Sequence, residues 1–311
     1  MSGLLDVILG YDCNLACDYC TITPEMRRRS LTAAQVVAAM RAGRAAAYDR
    51  VAFTGGEPTI RGDLLGLVRA ARALGFSDVK VQSNGLMLGQ ADNARRLRDA
   101  GVDRVHVSIH THVAAAYDAL VRSPGSHARM VAGLDAVVAS GAAVVADVIV
   151  KADTLPRLPA AIAWLWDRGV RAADLWFVSL TDGNRGNAAS LPRMTAAAPI
   201  MAEAFASARA RGMTLRSLHV PRCLLGEDHV HAYDPGAQRV RVVTPEASFE
   251  LRDSRLAGRV HVPACAGCPF EQVCPGVRPD YLEVYGDEEI ATARGQAPTV
   301  RPRRLPVIAV T

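Results

Sequence analysis

The sequence predicts an α/β fold: a partial (β/α)6 barrel of parallel strands followed by a small C-terminal domain. Three observations lead to this prediction. Short β-rich runs alternate with amphipathic helical segments through the first two thirds of the 311 residues, which is the pattern of a parallel sheet with crossover helices. The alternation stops near residue 213, where prolines begin to divide the chain into short segments. Four of the seven cysteines lie in this last part, where a metal site would hold a small core together.

Six runs have the composition of buried strands and end in polar or glycine-rich turns. They span residues 5–9, 50–53, 79–82, 104–109, 144–150 and 175–178. The carboxyl ends of parallel strands meet at one edge of a sheet, so functional side chains are expected there. Six such units would form an open barrel with a mouth at its side.

Amphipathic helices are predicted between and after these strands. They span residues 32–48, 64–74, 93–100, 127–140, 156–168 and 195–211. Thr32 followed by Gln35 is a capping box that marks the start of the first helix. Glycines stand just past four helix ends, where a left-handed residue commonly ends a helix. These glycines are Gly75, Gly101, Gly141 and Gly169.

The C-terminal third contains a predicted hairpin, from residues 240–244 to residues 248–251. The last four cysteines lie on either side of it. We therefore predict a barrel domain over residues 1–213, a small domain over 214–296 and a Pro/Arg-rich tail over 297–311.

Composition and charge exclude several classes of protein. Half of the residues are hydrophobic and the net charge is only +5, so the chain can form a core and is not strongly basic. The N-terminus lacks the basic region and cleavage site of a signal peptide, and no apolar run approaches the roughly 20 residues of a membrane span. We expect a cytoplasmic protein without a membrane partner. The run Arg27-Arg28-Arg29 has no interleaved aromatic residues, which favours a solvated face over a nucleic-acid site.

Three cysteines stand together directly after the first predicted strand. Cys13, Cys17 and Cys20 lie in a chain without signs of secretion, and the odd total of seven cysteines argues against disulfides. Structural zinc takes four ligands, and no histidine is near enough in sequence to complete the set. Three thiolates can hold a cubane iron–sulfur cluster and leave one iron open. A zinc site or a simple ferredoxin-type site is the alternative.

The spacing Cys-x3-Cys-x2-Cys, with Tyr19 before the third cysteine, resembles the cluster loop of radical S-adenosylmethionine (SAM) enzymes. The second strand ends in FTGGEPTIR, and its part Gly55-Gly56-Glu57-Pro58 resembles the second signature of this superfamily. Glycines let bare backbone approach a ligand, and proline fixes the turn. The resemblance implies a [4Fe-4S] cluster on the three cysteines. It also implies that the GGEP segment lines the methionine amino group of SAM and that Tyr19 packs on its adenine.

The ends of the third and fourth strands extend the resemblance. Residues 81–87, VQSNGLM, and 105–112, VHVSIHTH, are similar to the branch that contains the molybdenum-cofactor cyclase and peptide-modifying enzymes. The resemblance implies further SAM contacts from Ser83, Asn84, Ser108, His110, Arg122, Asp147 and Val178. Three of these have a structural alternative: His110 as a hydrogen-bonded histidine, Arg122 as a surface ion pair and Val178 as core.

The implied chemistry begins with SAM bound to the open iron of the cluster. One electron from the reduced cluster cleaves SAM into methionine and a 5'-deoxyadenosyl radical, which takes a hydrogen atom from an unactivated carbon. The cofactor performs this step, while the protein positions the substrate and excludes water. An external one-electron donor of the flavodoxin or ferredoxin type is implied as a partner.

The last four cysteines form a second candidate site. Cys265, Cys268 and Cys274 are spaced Cys-x2-Cys-x5-Cys, and Cys223 is a remote fourth. Zinc can fill such a site. The segment also resembles the twitch form of the SPASM domain, which implies a small iron–sulfur domain with one auxiliary [4Fe-4S] cluster. All seven cysteines are then used, which leaves no thiol to return a hydrogen atom and favours a net oxidation with the auxiliary cluster as electron acceptor.

The substrate is expected over the mouth of the barrel. Candidate substrate residues are Arg61, His112, Asp182, Asn184, Arg185 and Asn187. The last four lie in a glycine-containing segment after the sixth strand, which a polar surface turn would also explain. Asp63, beside Arg61, is equally a helix N-cap. Trp164, Trp166 and Trp176 are interpreted as packing residues, and a buried Asp147 would be costly without a partner.

The sequence therefore predicts a radical SAM oxidoreductase that dehydrogenates or cross-links a small metabolite or a short peptide. The first strand begins near residue 4, which leaves no room for an N-terminal leader-recognition domain and favours a small molecule. One alternative is a ribosomal-peptide maturase that works with a separate recognition protein. Another is a redox-neutral epimerase with a C-terminal cysteine, such as Cys223, as hydrogen donor. A third is an iron–sulfur or zinc protein without catalytic activity.

Overall fold

The computed structural model describes residues 3–90, 92–234, 237–254 and 259–295. Nine strands form one sheet. They are β1 (Gly3–Ile8), β2 (Arg50–Thr54), β3 (Asp78–Ser83), β4 (Arg104–Ser108), β5 (Ala143–Val150), β6 (Ala172–Phe177), β7 (Thr214–Leu218), β8 (Arg239–Val243) and β9 (Ser248–Glu250). Their spatial order is β7-β6-β5-β4-β3-β2-β1-β8-β9. Every neighbouring pair is parallel except β8 and β9. The sheet is an open partial barrel, as the sequence predicts.

Nine α-helices are found among the described residues. They are α1 (Ala33–Ala45), α2 (Leu64–Ala73), α3 (Asn93–Ala100), α4 (Ala114–Val121), α5 (Ser126–Ala139), α6 (Leu158–Asp167), α7 (Met194–Arg211), α8 (Pro279–Tyr285) and α9 (Glu288–Ala293). The capping box of α1 is present, with Thr32 and Gln35 each bonding the backbone N–H of the other. The four glycines predicted to end helices all have positive φ.

The barrel has seven consecutive parallel strands where the sequence predicts six. The additional strand, β7, pairs in parallel with β6. Its sequence, TLRSL, exposes Thr214 and Arg216 at the edge of the sheet, so it lacks the apolar run that marks a buried strand. Helices α4, α8 and α9, which have eight, seven and six residues, are also not predicted.

The predicted hairpin is present as β8 and β9, but it is not separate from the barrel. β8 also pairs in parallel with β1, with Leu4 opposite Val240 and Asp6 opposite Val242. A strand from the C-terminal third therefore extends the barrel sheet. Pairing across more than 230 positions leaves no local signal in a sequence. The domain boundary at residue 213 stays a prediction.

Strand alternation divides the barrel residues into two sets, because successive side chains point to opposite faces. One set is apolar and forms the main hydrophobic core, with residues such as Val7, Phe53 and Val81. The other set is largely polar on β3 to β6. Its members Gln82 and Asp147 line the cavity described below.

The C-terminal segment is anchored to the barrel beyond the carboxyl end of β6. The backbone N–H of Leu180 donates to Asp280 at 2.7 Å, and the N–H of Met194 donates to the hydroxyl of Tyr281 at 2.9 Å. Helix α8 is thereby held against the loops that follow β6.

In the described part of the chain, no helix has both the length and the apolar character needed to cross a bilayer. The predicted Pro/Arg-rich tail, residues 297–311, lies outside the described residues.

Candidate active site

A cavity of about 330 Å³ opens at the carboxyl ends of the barrel strands. Much of the predicted site lines it: Cys13, Cys17, Tyr19, Cys20, Gly55, Gly56, Ser83, Asn84, Ser108, His110 and Asp147. The volume falls in the range of small-molecule sites. Residues from five separate strands and their loops therefore meet in one place.

Arg27 holds the loop that carries the three N-terminal cysteines. Its guanidinium donates to the backbone carbonyls of Cys13 at 3.0 Å and Leu15 at 2.7 Å. Arg29 pairs with Glu246 at 3.1 Å. The composition of the arginine run indicates a solvated face. In the structure, two of its three members also bind other parts of the protein.

The segment 179–187 supports this cluster loop from the other side. The N–H of Gly183 donates to the carbonyl of Thr21 at 2.9 Å, and the Asn187 amide donates to that of Asp18 at 3.1 Å. The buried amide of Asn184 donates to the backbone of its own segment at 2.6 Å. The side-chain amides of Asn184 and Asn187 thus donate within the protein, whereas Asn184 Oδ1 has no hydrogen-bond partner among the described residues. Their role as substrate residues stays a prediction. Asp182 and Arg185 do not line the cavity.

Gly55 and Gly56 are required by the close approach of the cluster loop to β2. The N–H of Gly56 donates to the carbonyl of Gly10 at 2.9 Å, and the N–H of Glu57 donates to that of Asp12 at 2.8 Å. A Cβ at Gly55 would lie 2.2 Å from the Gly10 oxygen, and a Cβ at Gly56 would lie 2.0 Å from the Asp12 oxygen. Gly55 also has a φ of 130°, a conformation that favours glycine.

Glu57 lies behind the cavity wall and does not line it. One carboxylate oxygen accepts a hydrogen bond from the Ser83 hydroxyl at 2.9 Å, and the other accepts one from the Asn84 N–H at 2.6 Å. Burial raises the pKa of this carboxyl group. Glu57 therefore positions the end of β3, and its predicted contact with SAM stays a prediction. Pro58 beside it is also buried.

The three N-terminal thiols share the cavity and influence one another. Burial raises the pKa of Cys13 and raises that of Cys17 to about 12, to which the neighbouring thiols also contribute. Such thiols stay protonated near neutral pH unless a metal stabilises their thiolates. Three converging sulfurs beside bare glycine backbone fit a cluster that takes its fourth ligand from the cavity.

Tyr19 and His110 form a hydrogen-bonded pair on the cavity wall. The Tyr19 hydroxyl lies 2.6 Å from Nε2 of His110, whose Nδ1 accepts from the Ile149 N–H at 3.2 Å. Burial lowers the pKa of His110 to about 3, so the ring is neutral. A neutral imidazole that accepts at Nδ1 carries its proton on Nε2, so His110 donates to Tyr19. The Tyr19 hydroxyl hydrogen is then free for Cys17, with which the hydroxyl interacts.

Asp147 contributes a buried carboxylate to the cavity. Its Oδ1 accepts from Nε1 of Trp176 at 3.2 Å and lies 3.1 Å from Nδ1 of His106. Burial by itself raises the pKa of Asp147. The charge and hydrogen bond of His106, the charge of Lys80 and the hydrogen bond of Trp176 outweigh burial, so the pKa is lowered. Asp147 is therefore an anion at neutral pH.

Arg61 and His112, both predicted to meet the substrate, lie outside the cavity lining. The guanidinium of Arg61 forms a bidentate pair with Asp63 and also donates to the backbone carbonyl of Leu9 at 3.1 Å. Protein partners thus occupy its donors. The ring of His112 packs near that of Trp164, with centroids 6.5 Å apart. Nδ1 of His112 is buried and has no hydrogen-bond partner within the described residues. The role of both residues in binding substrate stays a prediction.

Arg122 and Val178, both predicted to contact SAM, are also outside the lining. Arg122 is exposed and ends α4 with a left-handed φ of 55°. Val178 follows β6 and belongs to the main hydrophobic core, in agreement with its alternative interpretation.

Eleven lining residues are not predicted as site residues, and Gln82, Trp176, Ser179 and His219 are among them. Gln82 and Trp176 stand on the polar face of their strands, so a strict alternation of faces along each strand would have found them. Trp176 also donates to Asp147, so it does more than pack. His219 follows β7, the strand that the sequence does not reveal.

A second cavity, of about 20 Å³, lies among the C-terminal cysteines. All four line it: Cys223, Cys265, Cys268 and Cys274. Burial and the charges of the other three cysteines raise the pKa of Cys223 to about 12. Four half-buried thiols around one small cavity fit a metal centre that the protein ligates completely.

The chain resembles proteins of known family in sequence. Residues 7–154 match the radical SAM superfamily. A probable GTP 3',8-cyclase of Methanopyrus kandleri is 37% identical over 157 residues, which are 50% of each protein. The GTP 3',8-cyclase 3 of Mycobacterium bovis is 33% identical over 138 residues, which cover 42% of this chain and 36% of that relative. The alignments thus span half or less of these relatives.

The fold is shared with SuiB of Streptococcus suis in its crystal structure bound to S-adenosylmethionine. The TM-score is 0.69 at 12% identity, and the match covers 91% of this chain and 74% of SuiB. The segment matched in sequence contains the three N-terminal cysteines and the glycine pair that line the cavity. A radical SAM domain implies a [4Fe-4S] cluster and SAM. Residues 7–154 of the chain are therefore a domain of the radical SAM superfamily.

Proposed function

We propose that the protein oxidises a small metabolite or a short peptide by radical SAM chemistry, with an auxiliary [4Fe-4S] cluster as electron acceptor. One observation carries the proposal: three thiols, the Gly55-Gly56 backbone and a polar wall that includes Asp147 all line the same cavity. This convergence supports a single site for the cluster, SAM and substrate.

In this proposal, Cys13, Cys17 and Cys20 hold the first cluster. SAM is surrounded by Tyr19, Gly55, Gly56, Ser83, Asn84, Ser108 and His110. When bound, the cluster and SAM together supply a carbon-centred radical that removes a hydrogen atom from the substrate. The apolar side chains of the lining, such as Ile149 and Phe177, exclude water from that radical.

We assign the four C-terminal cysteines to the auxiliary cluster in preference to zinc. Thiolates bind zinc at about 2.3 Å, which brings their sulfurs within roughly 4 Å of one another. Within the described residues, only His106, Asp147 and Asp174 form a set of three metal-ligating side chains whose ligand atoms all lie within 4.8 Å. The cysteine sulfurs are spread more widely, which supports a larger, multi-iron group.

The two cavities are neighbours. His219 lines the first and Cys223 lines the second, and four residues of extended chain span at most about 14 Å. An electron acceptor so near the substrate supports a net oxidation. The substrate would lose a hydrogen atom first and then an electron and a proton, which gives a dehydrogenation or a cross-link.

The names of similar proteins suggest two classes of substrate. The relatives named GTP 3',8-cyclase cyclise GTP, and SuiB has also been solved bound to the precursor peptide SuiA. None of the residues that line the first cavity in the described part of this chain is lysine or arginine, which argues against a triphosphate. We therefore favour a small metabolite or a short peptide. An external flavodoxin- or ferredoxin-like electron donor and a cytoplasmic location complete the proposal.

Reductive cleavage of SAM tests the proposal. Anaerobically purified protein would be reduced, incubated with SAM and assayed for 5'-deoxyadenosine. Wild type and Cys265→Ala/Cys268→Ala should form it, whereas Cys13→Ala/Cys17→Ala/Cys20→Ala should not. If reduced wild type holds its iron but forms none, the enzymatic proposal is wrong and a non-catalytic metal protein becomes the better description.

A redox-neutral epimerase is the second candidate, because the Cys223 thiol lies near the first cavity. In that case, product formed in deuterium oxide would carry one solvent deuterium on carbon. A net oxidation would yield product without it.

A further inference from the structure

We infer that Asp147 binds a protonated amine of the substrate, so that the substrate is an amine-bearing, unphosphorylated molecule. The inference rests on the proposed function, because it concerns the substrate side of the same cavity.

The two carboxylate oxygens of Asp147 have different surroundings. Oδ1 contacts His106 and Trp176, whereas Oδ2 has no hydrogen-bond partner within the described residues. The residue is 4% exposed. A buried ionised oxygen without a partner is costly. A ligand ammonium would satisfy it with a charge-assisted hydrogen bond.

Two polar neighbours make this wall suitable for an ammonium group. Ser108 stands directly opposite Asp147 in the pairing of β4 with β5, and Gln82 on β3 lines the same cavity. An ammonium has three donors. Asp147 supplies the charged acceptor, and Ser108 and Gln82 add polar groups to the same cavity lining.

No charged group among the described residues hydrogen-bonds to Asp147 Oδ2, which is itself buried. His106 is engaged with Oδ1, and both oxygens of Asp174 accept from Arg216 at 2.7 and 2.6 Å. Lys80 and Arg216 both attract Asp147, but neither lines the cavity. A phosphate entering here would meet a carboxylate and no lining cation, whereas an ammonium would meet a carboxylate whose Oδ2 has no hydrogen-bond partner among the described residues.

Asp147 also lies away from the wall that carries the glycine pair. Gly55 and Gly56 follow β2, whereas Asp147 is on β5, three positions along the sheet, and neighbouring strands are about 4.8 Å apart. Trp176 and His219 continue the Asp147 wall towards the second cavity. This position assigns Asp147 to the substrate. The sequence resemblance instead implies that Asp147 contacts SAM.

A matched series of probes tests the inference. Cyclohexylamine, cyclohexanol and cyclohexyl phosphate share a ring and differ only in the head group. Their binding to anaerobic, cluster-loaded protein with SAM would be measured by ligand-observed NMR titration. The variants are Asp147→Asn and Asp99→Asn, the latter an exposed carboxylate on α3. SAM affinity would be measured in parallel for each protein.

Wild type should bind the amine at least tenfold more tightly than the alcohol and should not bind the phosphate. Asp147→Asn should lose this preference and keep its SAM affinity within about threefold, while Asp99→Asn behaves as wild type. Three results with wild type alone would overturn the inference. They are tightest binding of the phosphate, equal binding of the amine and the alcohol, and binding of none of the probes. Loss of SAM binding in Asp147→Asn would also overturn it. Failure of wild type to bind SAM would instead count against the proposed function.

Discussion

Replacing Gly56 with alanine should push the cluster loop away from β2. The added Cβ would lie 2.0 Å from the carbonyl oxygen of Asp12 and 2.6 Å from two backbone carbons of the same loop. Cβ atoms essentially never approach other heavy atoms closer than 3.0 Å, so the loop must retreat by about 1 Å. All three obstructing atoms belong to backbone, which a rotamer change cannot move.

The retreat disturbs two backbone hydrogen bonds. They join the Gly56 N–H to Gly10 at 2.9 Å and the Glu57 N–H to Asp12 at 2.8 Å. Each bond contributes about 1 kcal/mol, and a buried group left unsatisfied costs about 1–3 kcal/mol. A loss of even about 2 kcal/mol corresponds to roughly a 30-fold weaker hold on a cluster. Because Cys13 follows Asp12 directly, the first cluster should be affected most.

The assay is iron per chain after anaerobic reconstitution and gel filtration, together with 5'-deoxyadenosine formation. Gly66→Ala is the matched control, because Gly66 is exposed on α2 and no atom lies within 4 Å of its added Cβ. That control should keep its iron and gain roughly 0.5–1 kcal/mol of helix stability. Gly56→Ala should lose the iron of the first site and its SAM cleavage. Full iron and wild-type cleavage in Gly56→Ala would refute the steric reasoning.

Three further predictions follow from the same contacts. Arg27→Ala should release the cluster loop and lower iron retention several-fold, because charged hydrogen bonds contribute about 1.5–3 kcal/mol. Replacing the exposed Arg28 with alanine should leave iron retention unchanged. Equal iron retention in the two variants would contradict the role assigned to Arg27. Tyr19→Phe should make the first cluster harder to reduce in an electrochemical titration, because Cys17 loses a hydrogen-bond donor. An unchanged reduction potential would show that the Tyr19 hydroxyl does not donate to Cys17. Burial lowers the pKa of His219 to about 3, so the native state takes up fewer protons than the unfolded state as pH falls. Its contribution to the free energy of unfolding should drop by about 1.4 kcal/mol from pH 7.5 to 5.5. His219→Asn should remove that part of the pH dependence in urea unfolding, and an unchanged dependence would mean that the ring titrates normally.

The parts of the fold that the sequence predicts are those with local signals. The Thr32 capping box, the helix-ending glycines and the first six strands each depend on neighbouring residues, and all are present. The pairing of β8 with β1 depends on residues more than 230 positions apart. Strand β7 depends on its neighbour β6 for burial. Neither has a signal of its own in the sequence.

The candidate site divides in the same way. Cysteine spacing and the glycine pair predict the residues that form one wall of the cavity, because backbone geometry dictates those residue types. Side-chain partners decide the rest. Glu57 and Arg61 carry charges that suit a ligand, but the folded chain satisfies both with its own groups. Asp147 is the opposite case, because the fold buries it and leaves one oxygen without a partner.

The most direct test of the two-cluster assignment is the content of iron, sulfide and zinc per chain in anaerobically purified protein. Wild type should hold about eight irons and no zinc, and Cys13→Ala/Cys17→Ala/Cys20→Ala should hold about four. About four irons in wild type and none in the triple variant would contradict the assignment. Zinc at about one per chain would then make the C-terminal cysteines a structural site.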